Sequence, residues 1–204
     1  MLKIWGSKGS SNVQKVSWCC GELGLPFEQG DIAGAFGGLK SAGYLERNPN
    51  GLMPTIDDDG FVLWESNVIV RYLAAKHGAG TLYPTDPVAR AQADRWMDWQ
   101  QTTLVPQMGP LFRGHLKSPP DAIDPGVMAL ARDKAAAAWA ILDAALAAQP
   151  YVGGDRLTMG DIALGSAVHR WFRLPVERPP MPNLEAWYAR LSARPEYRKH
   201  VLGL

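Results

Sequence analysis

The chain lacks the marks of several functional classes. Its 204 residues include only two cysteines, Cys19 and Cys20, which are neighbours. Adjacent thiols cannot build a framework of bridges, and they offer neither redox Cys-x-x-Cys nor metal-ligand spacing, so a reducing compartment is the expectation. The four histidines, His77, His115, His169 and His200, are scattered without ligand spacing, and no metal site is expected. Neither sign of charge is in excess: 21 basic against 20 acidic side chains give a net charge of +1. That balance gives no support to a nucleic-acid or anionic-membrane role. No apolar run approaches the roughly 20 residues of a membrane-spanning helix, and the opening MLKIWGSKGSS has no signal-peptide core, so a cytoplasmic location is expected.

What remains is an ordinary globular composition, 47% hydrophobic and 20% charged, long enough for one large or two small domains. Leu2 to Gly6 reads as a buried strand, and Ser7 to Ser11 as a small-residue loop entering a helix. Ser10, Ser11 and Asn12 are all good N-cap types, and Val13, Val16, Cys20 and Leu23 recur at helical spacing before Gly24 and Pro26. Phe27 to Ile32 can return as a strand, which implies a right-handed βαβ unit with parallel strands. Gly34 to Gly43, which carries Lys40, is too rich in glycine for a good helix and is expected to be an irregular, mobile arm.

The stretch from Asn48 to Ala75 is the densest in signals. Asn48-Pro49-Asn50-Gly51 is turn chemistry, and Asp58-Asp59-Gly60 lets Pro54 to Asp57 pair with Phe61 to Trp64 as a hairpin. Pro54 cannot donate to a ladder, which makes Met53-Pro54 a candidate cis peptide, whose Met53 N–H and C=O would face outward to pair with an extended peptide. The helix that follows opens on Glu65 and Ser66, and its first turn suits a carboxylate. After a linker over 81–86, Asp86-Pro87 is an N-cap followed by proline at the first helical position. The rest is Ala-rich without strand-like alternation. Ala89 to about Gly114, Pro125 to Gln149, Thr158 to Trp171 and Leu184 to Ser192 read as helices, with Pro106, Pro110, Pro119, Pro120, Pro150 and Pro175 to Pro182 as punctuation. The fold class is therefore α/β over 1–80 followed by an all-α domain over 87–204.

In this order, the βαβ unit, the hairpin with Met53-Pro54, Glu65-Ser66 at a helix start, and Thr158-Met159-Gly160-Asp161 in a helical second domain, the chain resembles a cytosolic glutathione transferase. The resemblance covers essentially the whole chain. It implies a thioredoxin-like first domain that binds glutathione, a homodimer, a role in detoxification, and a second domain that contributes the pocket for a small hydrophobic electrophile. Met53 would pair by its main chain with the cysteinyl part of glutathione, Pro54 would be the cis-proline, and Glu65 and Ser66 would hold the γ-glutamyl amino and carboxylate groups. Lys40 would meet the glycyl carboxylate, although Leu52 stands where many members have Lys or Gln. Ser10, with Ser11 adjacent, falls where serine-type members place the thiol-activating group, and Asn12 where some bacterial and fungal members use asparagine. Which of the three touches sulfur stays open, and no tyrosine lies near the start to suggest the tyrosine type.

The sulfur in this reading arrives with the cosubstrate, because Ser10-Ser11-Asn12-Val13 stands where a redox thioredoxin-like protein has Cys-x-x-Cys. A free thiol titrates near about 8.5 and is mostly protonated at neutral pH. A hydrogen bond to the charged form contributes about 1.5–3 kcal/mol and a helix N-terminus about 0.3–1, enough to lower that value by about one to three pH units. Plain helix starts at Ser10–Asn12 and Glu65–Ser66 compete with these roles. Cys19 and Cys20 read as buried helix residues, Asp161 as a capping partner of Thr158, and Arg71 as a solvated or interface residue. The electrophile pocket is expected to draw on Trp99, Thr103, Met108 and Phe112, which at helical spacing also suit a core. Glutathione-dependent reduction of disulfides or peroxides is the enzymatic rival, and a non-catalytic binding module of the same fold is the rival from another class.

Overall fold

The computed structural model describes residues 1–117 and 124–204, so Pro119 and Pro120 lie outside the described residues. Two compact units are present, one of Met1–Thr85 with Ser192–Leu204, the other of Asp86–Leu191.

In the first unit, β1 (Leu2–Trp5), α1 (Ser11–Glu22) and β2 (Phe27–Gly30) form the expected parallel crossover, with Leu2 opposite Phe27 and Trp5 opposite Gly30. β3 (Thr55–Asp58) runs antiparallel to β1, and β4 (Phe61–Trp64) closes a mixed sheet of order β2-β1-β3-β4. The hairpin ladder starts at Thr55, one residue later than expected at Pro54. The two-residue turn is Asp59-Gly60, both at positive φ (51° and 95°), which fixes Asp58 opposite Phe61. Val13, Val16 and Cys20 from α1, and Ile69, Val70 and Leu73 from the next long helix, are fully buried, as are Ile4 and Ile56 of the sheet. The thioredoxin-like expectation holds.

The glycine-rich segment departs from expectation. It contains two short helices, α2 (Ile32–Phe36) and α3 (Ala42–Leu45), followed after β4 by α4 (Ser66–His77). The Asp31 carboxylate caps α2 by accepting from the N–H groups of Ala33 and Gly34, each at 3.0 Å. Phe36 meets the Trp5 ring edge-on at 4.8 Å and, with Leu39 and Met53, packs on a buried cluster of Trp5, Ile32 and Tyr44. The segment is thereby anchored to β1.

The last residues also differ from the expected 87–204 division, since 192–204 cluster with the first unit. The reason is a set of polar and aromatic contacts to α1. Arg194 forks onto Glu22 (Nε to Oε1, 2.7 Å; Nη2 to Oε2, 2.5 Å), and Trp18 Nε1 donates to the same carboxylate at 2.8 Å. Tyr197 packs edge-on against Trp18, ring centroids 4.7 Å apart.

The second unit is built from helices: α5 (Pro87–Trp99), a wider π turn over Gln100–Leu104, α6 (Val105–Lys117), α7 (Pro125–Leu146), α8 (Met159–Arg173) and α9 (Pro182–Ser192). Asp86 caps α5 by accepting from the Ala89 N–H at 2.8 Å, with Pro87 opening the helix as expected. Pro106 and Pro110 lie within α6 instead of ending it. Both are exposed, so water can satisfy the carbonyl that Pro110 leaves without a helical donor. The expected capping box at Thr158 and Asp161 opens α8. Asp161, fully buried, accepts from Val152 N–H (3.0 Å), Thr158 N–H (2.9 Å), the Thr158 hydroxyl (3.1 Å) and Trp187 Nε1 (2.9 Å). Among the described residues, no helix is long and apolar enough to cross a membrane.

Candidate functional site

The candidate site is built from three backbone turns of the first unit. The first is the loop from β1 into α1. Gly6 has φ of 150°, and a Cβ there would lie 2.6 Å from Val13 Cγ2 and 3.2 Å from Met53 Cβ, so only glycine fits between α1 and Met53. The Gln29 side chain donates to the carbonyls of Ile4 (3.2 Å) and Gly6 (2.5 Å), and the Ser7 N–H donates to the Met53 sulfur at 3.3 Å. Ser10 is the N-cap of α1 by its backbone, with φ −76° and ψ 123°, and its carbonyl accepts from the Gln14 N–H at 2.9 Å. Its hydroxyl makes no capping bond to the helix. Ser10 and Ser11 are half-buried and Asn12 is exposed.

The second turn carries Met53. The Met53-Pro54 peptide is cis. Asn48 is buried beneath it, accepting from the Asn50 N–H at 3.1 Å and donating to the Leu52 carbonyl at 2.9 Å. The Tyr44 phenol donates to the same carbonyl at 2.7 Å and sits 2.9 Å from Thr55 Oγ1. Lys40 is exposed, and its Nζ donates to the Asn50 carbonyl at 3.1 Å, which places a cation over this turn. Leu52 is exposed and has no polar group to offer.

The third turn is the start of α4. Glu65 has φ of 73° and is exposed, while Ser66 and Asn67 are buried. Beneath them lies a residue the sequence reading passed over: Lys15 of α1, only 2% exposed, whose Nζ donates to Asn67 Oδ1 at 3.0 Å and to Ser66 Oγ at 3.4 Å. It belongs to the continuous buried run Lys15–Cys20 of α1, a burial that the sequence alone does not signal. A cavity of about 580 Å³ opens beside the first two turns, lined by Gly6, Ser7, Asp31, Leu39 and Met53 among others.

The first-unit candidates therefore fall into two groups. Ser7 links the loop of Ser10, Ser11 and Asn12 to the turn of Met53, Pro54 and Lys40, and Lys15 links α1 to Glu65-Ser66. The four pocket candidates belong to the second unit. Trp99 meets Trp96 edge-on at 5.2 Å, Thr103 is half-buried in the π turn, and Phe112 lies under the Arg170 guanidinium at 4.4 Å. Met108 is buried, and its sulfur accepts from Trp139 Nε1 at 3.3 Å, which commits it to the packing of that unit. Cys19 and Cys20 are both buried, and burial pushes the Cys20 thiol up to about 12, so neither supplies a thiolate at neutral pH. Among the described residues, no group of three or more His, Cys, Asp or Glu could hold a metal ion.

Comparison with known proteins agrees with this geometry. Residues 5–81 match the glutathione S-transferase N-terminal domain family and residues 121–190 the C-terminal domain family. The chain is 39% identical over 204 residues to glutathione S-transferase GstB of Escherichia coli, covering 99% of this chain and 98% of that protein. It is 30% identical to glutathione S-transferase 3 of Zea mays, over 100% of this chain and 94% of the relative. A crystal structure of the theta class glutathione S-transferase of Xanthomonas axonopodis pv. citri, with glutathione bound, superposes with a TM-score of 0.93 at 47% identity, covering 98% of this chain and 97% of the other. The chain belongs to the glutathione S-transferase family.

Proposed function

We propose that this protein binds glutathione on its first unit, lowers the pKa of the thiol, and transfers the thiolate to a small hydrophobic electrophile, acting as a cytoplasmic homodimer. In the reaction the thiol loses its proton to solvent, and the sulfur lone pair forms a carbon–sulfur bond as the leaving group departs with the electrons of the bond that breaks. The protein's part is to make the thiolate abundant and to hold it in place. The Ser10 hydroxyl acts as a donor to the thiolate. It needs no base, because the proton it donates stays on oxygen. Ser11 and Asn12, in the first turn of the same helix, add the positive end of the helix dipole or serve as the donor themselves.

The peptide is held at both ends. Met53 pairs by its main chain with the cysteinyl unit next to Pro54, Glu65 accepts from the γ-glutamyl ammonium, and Ser66 holds the γ-glutamyl carboxylate at the start of α4. Lys40, over the Asn48 turn, supplies the cation for the glycyl carboxylate, and the apolar Leu52 adds no polar group there. Trp99, Thr103, Met108 and Phe112 contribute to the electrophile pocket. One observation carries the thiol assignment: Ser10 caps α1 with its backbone while its hydroxyl makes no capping bond, which leaves that hydroxyl available to a ligand.

The test is turnover by purified protein. Conjugation of a chlorinated nitroaromatic by glutathione, faster than reduction of a glutathione mixed disulfide, supports the proposal. The reverse preference assigns the protein to glutathione-dependent reduction. If glutathione gives no protection against thermal unfolding, both enzymatic readings fail and a non-catalytic binding module remains.

A further inference from the structure

Lys15 sits inside the first unit, where a lysine is rarely buried without a purpose tied to its charge. Its ammonium has only donors, and two of its bonds run to the side chains that open α4, Ser66 Oγ at 3.4 Å and Asn67 Oδ1 at 3.0 Å. A hydroxyl carries one proton. When Ser66 oxygen accepts from Lys15, that proton is directed away from the ammonium, so the hydroxyl meets anything placed before α4 as a donor. The bond from a cation also polarises the O–H and strengthens the bond it donates. Asn67 is fixed in the same sense, its carbonyl oxygen taken by Lys15 and its amide N–H groups directed elsewhere. The buried charge and the first N–H groups of a 12-residue helix thus favour the same kind of ligand group, a negative one.

We infer that Lys15 is a positioning residue which, by donating to Ser66 and Asn67 from below, makes the start of α4 selective for a carboxylate at the γ-glutamyl end of the peptide substrate. This rests on the proposed glutathione function and adds a determinant of selectivity to it. Lys15 touches no reacting atom, and its removal acts on binding of one group, leaving the chemistry at sulfur unchanged.

The experiment compares two peptides, glutathione and 4-aminobutyryl-cysteinyl-glycine, which is glutathione without the γ-glutamyl carboxylate. Dissociation constants are measured by calorimetry for the wild type, Lys15→Met, Lys15→Arg and Ser66→Ala, together with kcat at saturating peptide. The wild type is expected to prefer glutathione by about tenfold or more, as loss of a charge-assisted bond predicts. In Lys15→Met that preference falls to about threefold or less, while affinity for the decarboxylated peptide and kcat stay near wild-type values. Ser66→Ala loses the preference to a similar degree, and Lys15→Arg, which keeps the cation, retains most of it. Should Lys15→Met fail to fold, the Ser66→Ala and Lys15→Arg pair still decides: a preference that survives Ser66→Ala overturns the inference. Equal weakening of both peptides in Lys15→Met marks a merely structural lysine and also overturns it. A wild type that binds both peptides equally well removes the carboxylate anchor itself, and the proposed substrate orientation with it.

Discussion

The main-chain N–H of Ser7 donates to the thioether sulfur of Met53 at 3.3 Å, joining the loop that carries the thiol-activating candidates to the turn that carries the proposed peptide-pairing residue. The two turns are far apart in sequence, and β1 and β3 bring them to the same end of the sheet. Gly6, immediately before Ser7, is where the approach is tightest.

Gly6→Ala should therefore disturb stability and binding together. The added Cβ would lie 2.6 Å from Val13 Cγ2, on a backbone with φ of 150°. Overpacking of this kind costs about 1–3 kcal/mol. Urea denaturation should show the loss, and KM for glutathione should rise as Ser7 and Met53 separate. Unchanged midpoint and KM would mean that the two turns are not mechanically coupled.

Asp161 gives a prediction in the second unit. Its carboxylate accepts from four donors, and an asparagine would turn an NH₂ toward one of them. Asp161→Asn should destabilise by about 1–3 kcal/mol, the cost of a buried donor left without a partner. The pH dependence has a definite sign. Burial pushes this carboxyl up to about 6, against the four hydrogen bonds that pull it down. Unfolded aspartates titrate near about 3.9, so the folded state holds the proton more tightly than the unfolded chain. That contribution is fully present below the unfolded value and is lost as pH rises through 6. Relative to the variant, which cannot titrate there, the wild type should lose up to about 3 kcal/mol between about pH 4 and about pH 7. Denaturation of both proteins across that range checks it, and an advantage that grows with pH contradicts it.

Glu22 fastens the final segment to α1 through the Arg194 fork and also receives Trp18 Nε1. Glu22→Gln keeps one acceptor and loses the charge, so a cost of about 1–2 kcal/mol is expected, near the lower end for bonds to charged groups because Arg194 is partly exposed. Limited proteolysis should then cut within 192–204 faster than in the wild type. Equal cleavage rates would show that the fork does not hold the segment.

Much of this was readable from residue order. Asn48-Pro49-Asn50-Gly51, Pro54 and Asp59-Gly60 dictate their turns almost alone, because few residue types tolerate those backbone angles or lack an N–H. Asp86-Pro87 and the Thr158–Asp161 box mark helix starts for the same local reason. What the sequence hid depends on distant partners. Asp31 reads as part of a strand until β2 is seen to stop at Gly30, and only then as the cap of α2. Met108 stands among the pocket candidates and at core spacing alike, and its sulfur accepts a hydrogen bond from Trp139, 31 positions away. Lys15 looks like a solvated helix residue until α4 is placed above it, and Arg194 finds Glu22 across 172 positions. The fold and the turns of the candidate site are local in the chain, whereas the electrostatics of the site and the return of the last segment are not.

The most direct test of thiol activation is a pH titration of the thiolate's ultraviolet absorbance in the glutathione complex, where the thiol is expected about one to three pH units below its free value. Wild type and Ser10→Ala are compared, with Ser11→Ala and Asn12→Ala as controls. The expected wild-type midpoint lies clearly below that of free glutathione and moves back toward the free value in Ser10→Ala; a move in Ser11→Ala or Asn12→Ala instead gives the donor role to that residue. A wild-type complex that titrates like free glutathione would contradict thiol activation by this protein.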